Sequence, residues 1–155
     1  MPLSYYAMAE DSLAVSWTFD AHPQDVWNAF SQPAVLSQWL GTASECDLAP
    51  GGELVIDHGD GMVSRSLVIM AQEPYLLVMT WDFPDEPESQ LDISLHPTEQ
   101  GCLLELRHLK LGDLASSYLP GWITHLTFLE AAVSGTPLPS AQFWPLHATL
   151  HTLCP

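Results

Sequence analysis

Basic residues are almost missing from this sequence. Arg65, Arg107 and Lys110 stand alone against nineteen aspartates and glutamates, for a formal net charge of −16. So acidic a chain cannot neutralise phosphates, which excludes nucleic acid as a partner, and anionic membrane surfaces repel it. The acidity reads as a device for solubility rather than for recognition. Cysteine is scarce and odd in number. Cys46, Cys102 and Cys154 show no paired spacing, so no disulfide framework is expected and the three are read as reduced thiols. Long apolar runs are lacking too: none approaches the roughly eighteen residues of a membrane span. The opening MPLSYYAMAEDS has neither the basic start nor the apolar run of a secretory signal. A soluble cytoplasmic protein is expected. Repeats and low-complexity linkers are absent, and 155 residues suit one domain, long enough to bury roughly 70% of its unfolded surface.

What is present is an informative order of patterns. Leu13, Val15, Trp17 and Phe19 alternate with Ala14, Ser16, Thr18 and Asp20, the period of a strand with one buried face. His22-Pro23 stops it, and Pro23 suits the first turn of a helix carrying Val26, Trp27 and Phe30 on one side. Pro33 starts a second short helix with Leu36, Trp39 and Leu40, which Gly41 ends. Strand-like runs follow at 53–58, 62–70, 75–82, 88–96 and 102–110, with a shorter one at 43–48. The turns between them are short and rich in Gly and Pro, which implies antiparallel neighbours. From Tyr118 to Val133 the period becomes helical, with Pro120 near the start and Gly135 and Pro137 beyond the end.

Strand, two short helices, antiparallel strands and one long helix is the order of the α+β helix-grip (START/Bet v-like) fold, a curved antiparallel sheet closed on a C-terminal helix. The segment from Phe19 to Phe30, then Trp39-Leu40-Gly41, Gly51-Gly52-Glu53, Thr80-Trp81 and Gly121-Trp122 with Leu126 and Leu129, resembles the heat-shock protein 90 ATPase activator-like family of the START-related, polyketide cyclase-like superfamily. The resemblance covers roughly residues 13–135. It implies residues 1–12 as an N-terminal tail, 13–135 as a helix-grip ligand-binding domain, and 136–155 as an extension. It also implies a cavity between sheet and helix, but no particular reaction, because the superfamily hosts carriers, cyclases, dehydratases and a co-chaperone.

Strand parity assigns walls to that cavity. Glu105 and Arg107 mark the wet face of their run and leave Leu104, Leu106 and His108 inward. By the same test Leu91, Ile93 and Leu95 face inward, as do Leu54, Ile56 and His58. Tyr75, Leu77, Met79 and Trp81 form the next row, and Ser64, Ser66 and Val68 another. From the helices come Trp39, Trp122, His125, Leu126 and Leu129. Within these rows the residues assigned to ligand contact are Ile56, His58 and Val68, then Met79, Trp81 and Ile93, then Leu106 and His108, with the five helical positions. The surface is apolar with a few converging polar groups, the usual make-up of a small-molecule pocket. Taken singly, each apolar position is more often plain core.

An inward histidine titrates near neutrality and can serve as acid or base, but spacing assembles no set of nucleophile, acid and base, and parity places no carboxylate inward. No catalytic residue is therefore assigned. No cofactor or metal is called for: His147 and His151 stand one helical turn apart, but the glutamate of a zinc-protease helix is missing. Leu146, Leu150 and Leu153 suggest instead that the extension packs on the domain or on a second subunit, making a homodimer, and covers Phe143 and Trp144. The leading expectation is a protein that binds an apolar small molecule, lipid-like or aromatic. An enzyme of cyclase or dehydratase type using His58 or His108 is the alternative. A chaperone ATPase partner is suggested only by the family name.

Overall fold

In the computed structural model, which describes residues 2–155, the first alternating run becomes β2 (Leu13–Phe19), with its four apolar side chains buried. Before it, Leu3–Met8 forms a further strand, β1, paired antiparallel to β2 with Met8 opposite Leu13. Residues expected as a tail thus extend the sheet. The pattern could not reveal this, because Tyr5 and Tyr6 stay exposed and the strand is held by its backbone ladder rather than by a buried face. Helices α1 (Pro23–Ser31) and α2 (Pro33–Leu36) each carry proline in the first turn, where its missing N–H costs nothing.

Six strands then run as a meander: β3 (Thr42–Cys46), β4 (Glu53–Asp57), β5 (Val63–Gln72), β6 (Leu76–Trp81), β7 (Ser89–Thr98) and β8 (Gly101–Leu109). The eight-stranded antiparallel sheet has the order β1-β2-β8-β7-β6-β5-β4-β3. Because β2 joins β8, the pair α1–α2 carries the chain from one side of the sheet to the opposite edge. The pairing of Ile93 with Leu106 and of Leu77 with Ile93 aligns the inward rows of β6, β7 and β8. Parity fails at one expected inward position. Tyr75 belongs to the turn before β6, where its N–H donates to the Gln72 carbonyl, and its side chain is exposed.

Helix α3 (Ala115–Val133) starts three residues before the expected Tyr118, so that Pro120 falls inside it. Leu119, Trp122, Leu126 and Leu129 are buried, and so are Ile123 and Phe128 on adjoining sides. Burial around most of its circumference follows from packing on the sheet, on α1 and on a last helix, α4 (Phe143–Leu153). No helix of the described residues is long and apolar enough to cross a membrane. Cys46, Cys102 and Cys154 are free thiols.

Gly101 opens β8 at φ +151°, and a Cβ there would lie 2.3 Å from the Phe19 carbonyl oxygen and 2.7 Å from the Ala21 nitrogen. Backbone on both sides cannot yield as a side chain would. Gly101→Ala is therefore expected to lower stability by about 2 kcal/mol or more. Urea unfolding of the two proteins measures this, and an unchanged midpoint would contradict so tight a junction of β2 and β8.

Candidate functional site

The inward row of β6 ends in Trp81, and around this residue the sheet and α3 part to leave a cavity of about 500 Å³. A chain of hydrogen bonds sets its inner wall. Trp122 Nε1–H donates to His108 Nδ1 at 3.0 Å. That fixes the His108 tautomer: Nε2 carries the proton and donates to Ser89 Oγ at 2.7 Å, and the Ser89 hydroxyl donates to the Trp81 carbonyl at 3.3 Å. Every polar atom of His108 is thus paired inside the protein, and burial pulls its pKa down to about 3. Trp81 Nε1–H points the other way and donates to the Tyr118 hydroxyl at 3.0 Å. Tyr118 in turn donates to the Glu86 carboxylate, from the loop after β6. Burial first, then this bond, raises the Tyr118 pKa and keeps its proton in place.

Two more histidines face the opening. His58, just past β4, has Nε2 2.7 Å from Ser64 Oγ, and its ring also bonds the Leu40 backbone. Burial lowers its pKa against the opposing effects of that bond and of Asp57. His125 on α3 donates Nδ1–H to the Trp39 carbonyl at 2.8 Å, and the ring centroids of His58 and His125 stand 6.4 Å apart. Its pKa is pushed down to about 4, by burial first and by His58 and His147 in the same direction. The carbonyl it uses is itself well placed, because Trp39 Nε1–H donates to the Ala29 carbonyl at 2.8 Å and its ring meets Phe30 edge-on at 4.9 Å. Gly41 lets this segment press against β4, since a Cβ would lie 2.5 Å from the Asp57 carbonyl oxygen.

The outer wall comes from the C-terminal extension. Phe143, the first residue of α4, stands 4.8 Å from the His125 ring and 5.3 Å from Phe128, and Trp144 and His147 continue the wall. Leu146, Leu150 and Cys154 pack on the core, so α4 folds onto its own domain. Trp144 nevertheless remains 68% exposed at the edge of the opening. The His147 and His151 rings lie parallel at 6.2 Å, and no cluster of three or more metal-ligating side chains occurs among the described residues.

Of the positions assigned to ligand contact from sequence, Trp39, His58, Trp81, Trp122 and His125 are brought together around this cavity. The other eight are not. Ile56, Val68, Met79 and Ile93, with Leu106, His108, Leu126 and Leu129, are almost wholly enclosed, packed between the centre of the sheet and α3. Parity tells which face a side chain takes but not how closely a helix sits on it, and α3 lies directly on the middle of the sheet. Tyr118, Phe83, Glu86, Phe128, Phe143 and His147 line the cavity without having been assigned to it. Tyr118 shares a helical side with Trp122 and His125 at offsets of four and seven, a spacing that would have found it. The loop residues Phe83 and Glu86 carry no such signal.

The family model for Activator of Hsp90 ATPase homolog 1-like protein matches residues 20–134, more than half of the chain. No curated protein matches. Among solved structures, CalU16 from Micromonospora echinospora is similar with a TM-score of 0.76 at 23% identity, over 92% of this chain and 85% of that one. DynU16, from the dynemicin biosynthetic locus, is similar with a TM-score of 0.75 at 23% identity over 83% of this chain, which covers 49% of DynU16. MLL2253 from Mesorhizobium loti is similar with a TM-score of 0.73 at 22% identity, over 82% and 99% of the two chains. At these identities the likeness is one of fold, the helix grip. The family match stops before α4, so the outer wall of the cavity lies beyond the matched residues.

His108 and His125 are held neutral below the ordinary histidine value of 6.5. Unfolding frees both to bind protons. Their contribution to stability is thus fully present above 6.5 and is lost as pH falls through the folded values of about 4 for His125 and about 3 for His108. Nitrogen-15 NMR is expected to show His108 as the neutral Nε2–H tautomer even at about pH 5.5, where a free imidazole is mostly protonated. A protonated His108 ring at that pH would contradict the bonding chain.

Proposed function

Since the chain belongs to the Activator of Hsp90 ATPase homolog 1-like protein family, we propose that it binds one planar apolar small molecule in the cavity beside Trp81 and does so without acid–base chemistry. The observation that carries this is the make-up of the cavity. Its volume, about 500 Å³, falls within the range of about 300–1,000 Å³ usual for small-molecule sites. Trp39, Trp81, Trp122, Phe128 and Phe143 wall it, and the indole N–H groups of the first three are already engaged within the protein. Walls fixed in this way need little ordering when a ligand enters, which favours binding by shape.

Catalysis by His108 or His58 finds no support in the geometry. Both nitrogens of His108 are bonded in a sealed interior, and His58 is engaged by Ser64 and by the Leu40 backbone. A chaperone ATPase partner draws only on the name of the family, and no feature of this cavity adds to it.

Titration with the neutral probe 9-anthracenemethanol, followed by quenching of tryptophan fluorescence, tests the proposal. Saturable one-to-one binding is expected. Phe143→Ala should weaken it by roughly tenfold, the contact of part of one aromatic face, and Ile93→Ala, distant in the packed core, should lower stability much more than affinity. Quenching that never saturates, or that ignores Phe143, would overturn the proposal.

A further inference from the structure

The polar groups of the cavity differ in kind as well as in number. Inside it, the N–H and O–H donors are spent. Trp39 donates to Ala29, Trp81 to Tyr118, Tyr118 to Glu86, Trp122 to His108 and His125 to Trp39. What remains open is acceptor capacity. The carboxylate of Glu86 has a second oxygen beyond the one held by Tyr118. His125 Nε2 has no partner, and it is absent from the sealed, unpaired polar atoms among the described residues, of which Trp17 Nε1 is the single case. His125 itself lines the cavity.

Charge points the same way. None of Arg65, Arg107 and Lys110 lines the cavity, and the chain carries −16 overall. The indoles of Trp81 and Trp122, whose centroids are 5.5 Å apart, line the cavity, and aromatic rings favour a cation over an anion. Donors at the site are confined to its outer part: Gln38, Ser117, Ser140 and Trp144 on the exposed edge, and half-buried His147 against Phe143. An anionic ligand head would meet a carboxylate and no cation. A cationic head at Glu86 would meet a carboxylate beside an aromatic wall.

Resting on the cavity reading above, we infer that the ligand is a planar aromatic or polycyclic molecule bearing a protonated amine, held by Glu86 beside the aromatic wall of Trp81 and Trp122, and that fatty acids and other acidic lipids are excluded. The field of the whole chain draws such a cation towards the opening, and Glu86 orients it once inside.

Three probes with one ring system separate the alternatives: 9-(aminomethyl)anthracene as its ammonium, 9-anthracenemethanol, and anthracene-9-carboxylate. Calorimetry at about 0.15 M salt screens the general field of the surface charges and leaves the local one. The ammonium is expected to bind roughly tenfold more tightly than the alcohol, and the carboxylate at least roughly tenfold more weakly. This ranking is read on the unaltered chain and depends on no variant. Glu86→Gln, which keeps an acceptor for the Tyr118 hydroxyl, should bring the ammonium-to-alcohol ratio close to one. Equal binding of all three, tightest binding of the carboxylate, or a ratio that Glu86→Gln leaves intact overturns the inference while the cavity reading stands. Failure of all three to bind overturns both.

Discussion

The run of hydrogen bonds from Trp122 through His108 and Ser89 to the Trp81 carbonyl is the interaction on which the rest of the structure depends. A histidine this deep is costly unless both ring nitrogens find partners, and here each finds one from a different element. The result ties α3 to β8, β8 to β7, and β7 to the last residue of β6. Those are the elements that must hold their spacing for a cavity to exist at that end of the sheet. His108 is thus a structural residue in a place where sequence offered it as chemistry. Its neutrality follows from burial, and the tautomer that accepts from Trp122 and donates to Ser89 fits it, since no site is left for a second proton.

From this follows the character of the walls. Indoles whose N–H groups are committed within the protein offer no free donor to the opening. Glu86 is exempt, as a carboxylate with one oxygen held and one free. The other contribution comes from beyond the family-like region. Phe143 and its neighbours on α4 complete an enclosure that the sheet and α3 leave open, with Phe143 lying against His125 and Phe128. The enclosure therefore draws on a matched scaffold and on an extension that closes it.

The fold was legible to the extent that burial repeats with a period. The inward rows of β2 and of β4 through β8 stand where alternation put them, and the two short helices begin at the prolines that signalled them. β1 was not legible, since Tyr5 and Tyr6 bury nothing that a pattern could register. The site was legible in part for the same reason. Trp81, Trp122 and His125 lie on periodic elements, whereas Glu86 and Phe83 lie in a loop and Phe143 on a helix whose neighbour sequence does not name. Depth was the other missing quantity. Leu106 and Trp81 both face inward on adjoining parts of the sheet, yet α3 covers the first and leaves space beside the second.

The central claim is that this space is a preformed receptacle for an aromatic cation, held open by committed indoles and closed by α4. A crystal structure of the chain with 9-(aminomethyl)anthracene tests it most directly. The account predicts the ring system between the Trp81–Trp122 wall and Phe143, the ammonium within hydrogen-bond reach of Glu86, and Trp122, His108 and Ser89 bonded as they are now. A ring bound on the outer surface, or an ammonium turned away from Glu86 into solvent, would contradict it.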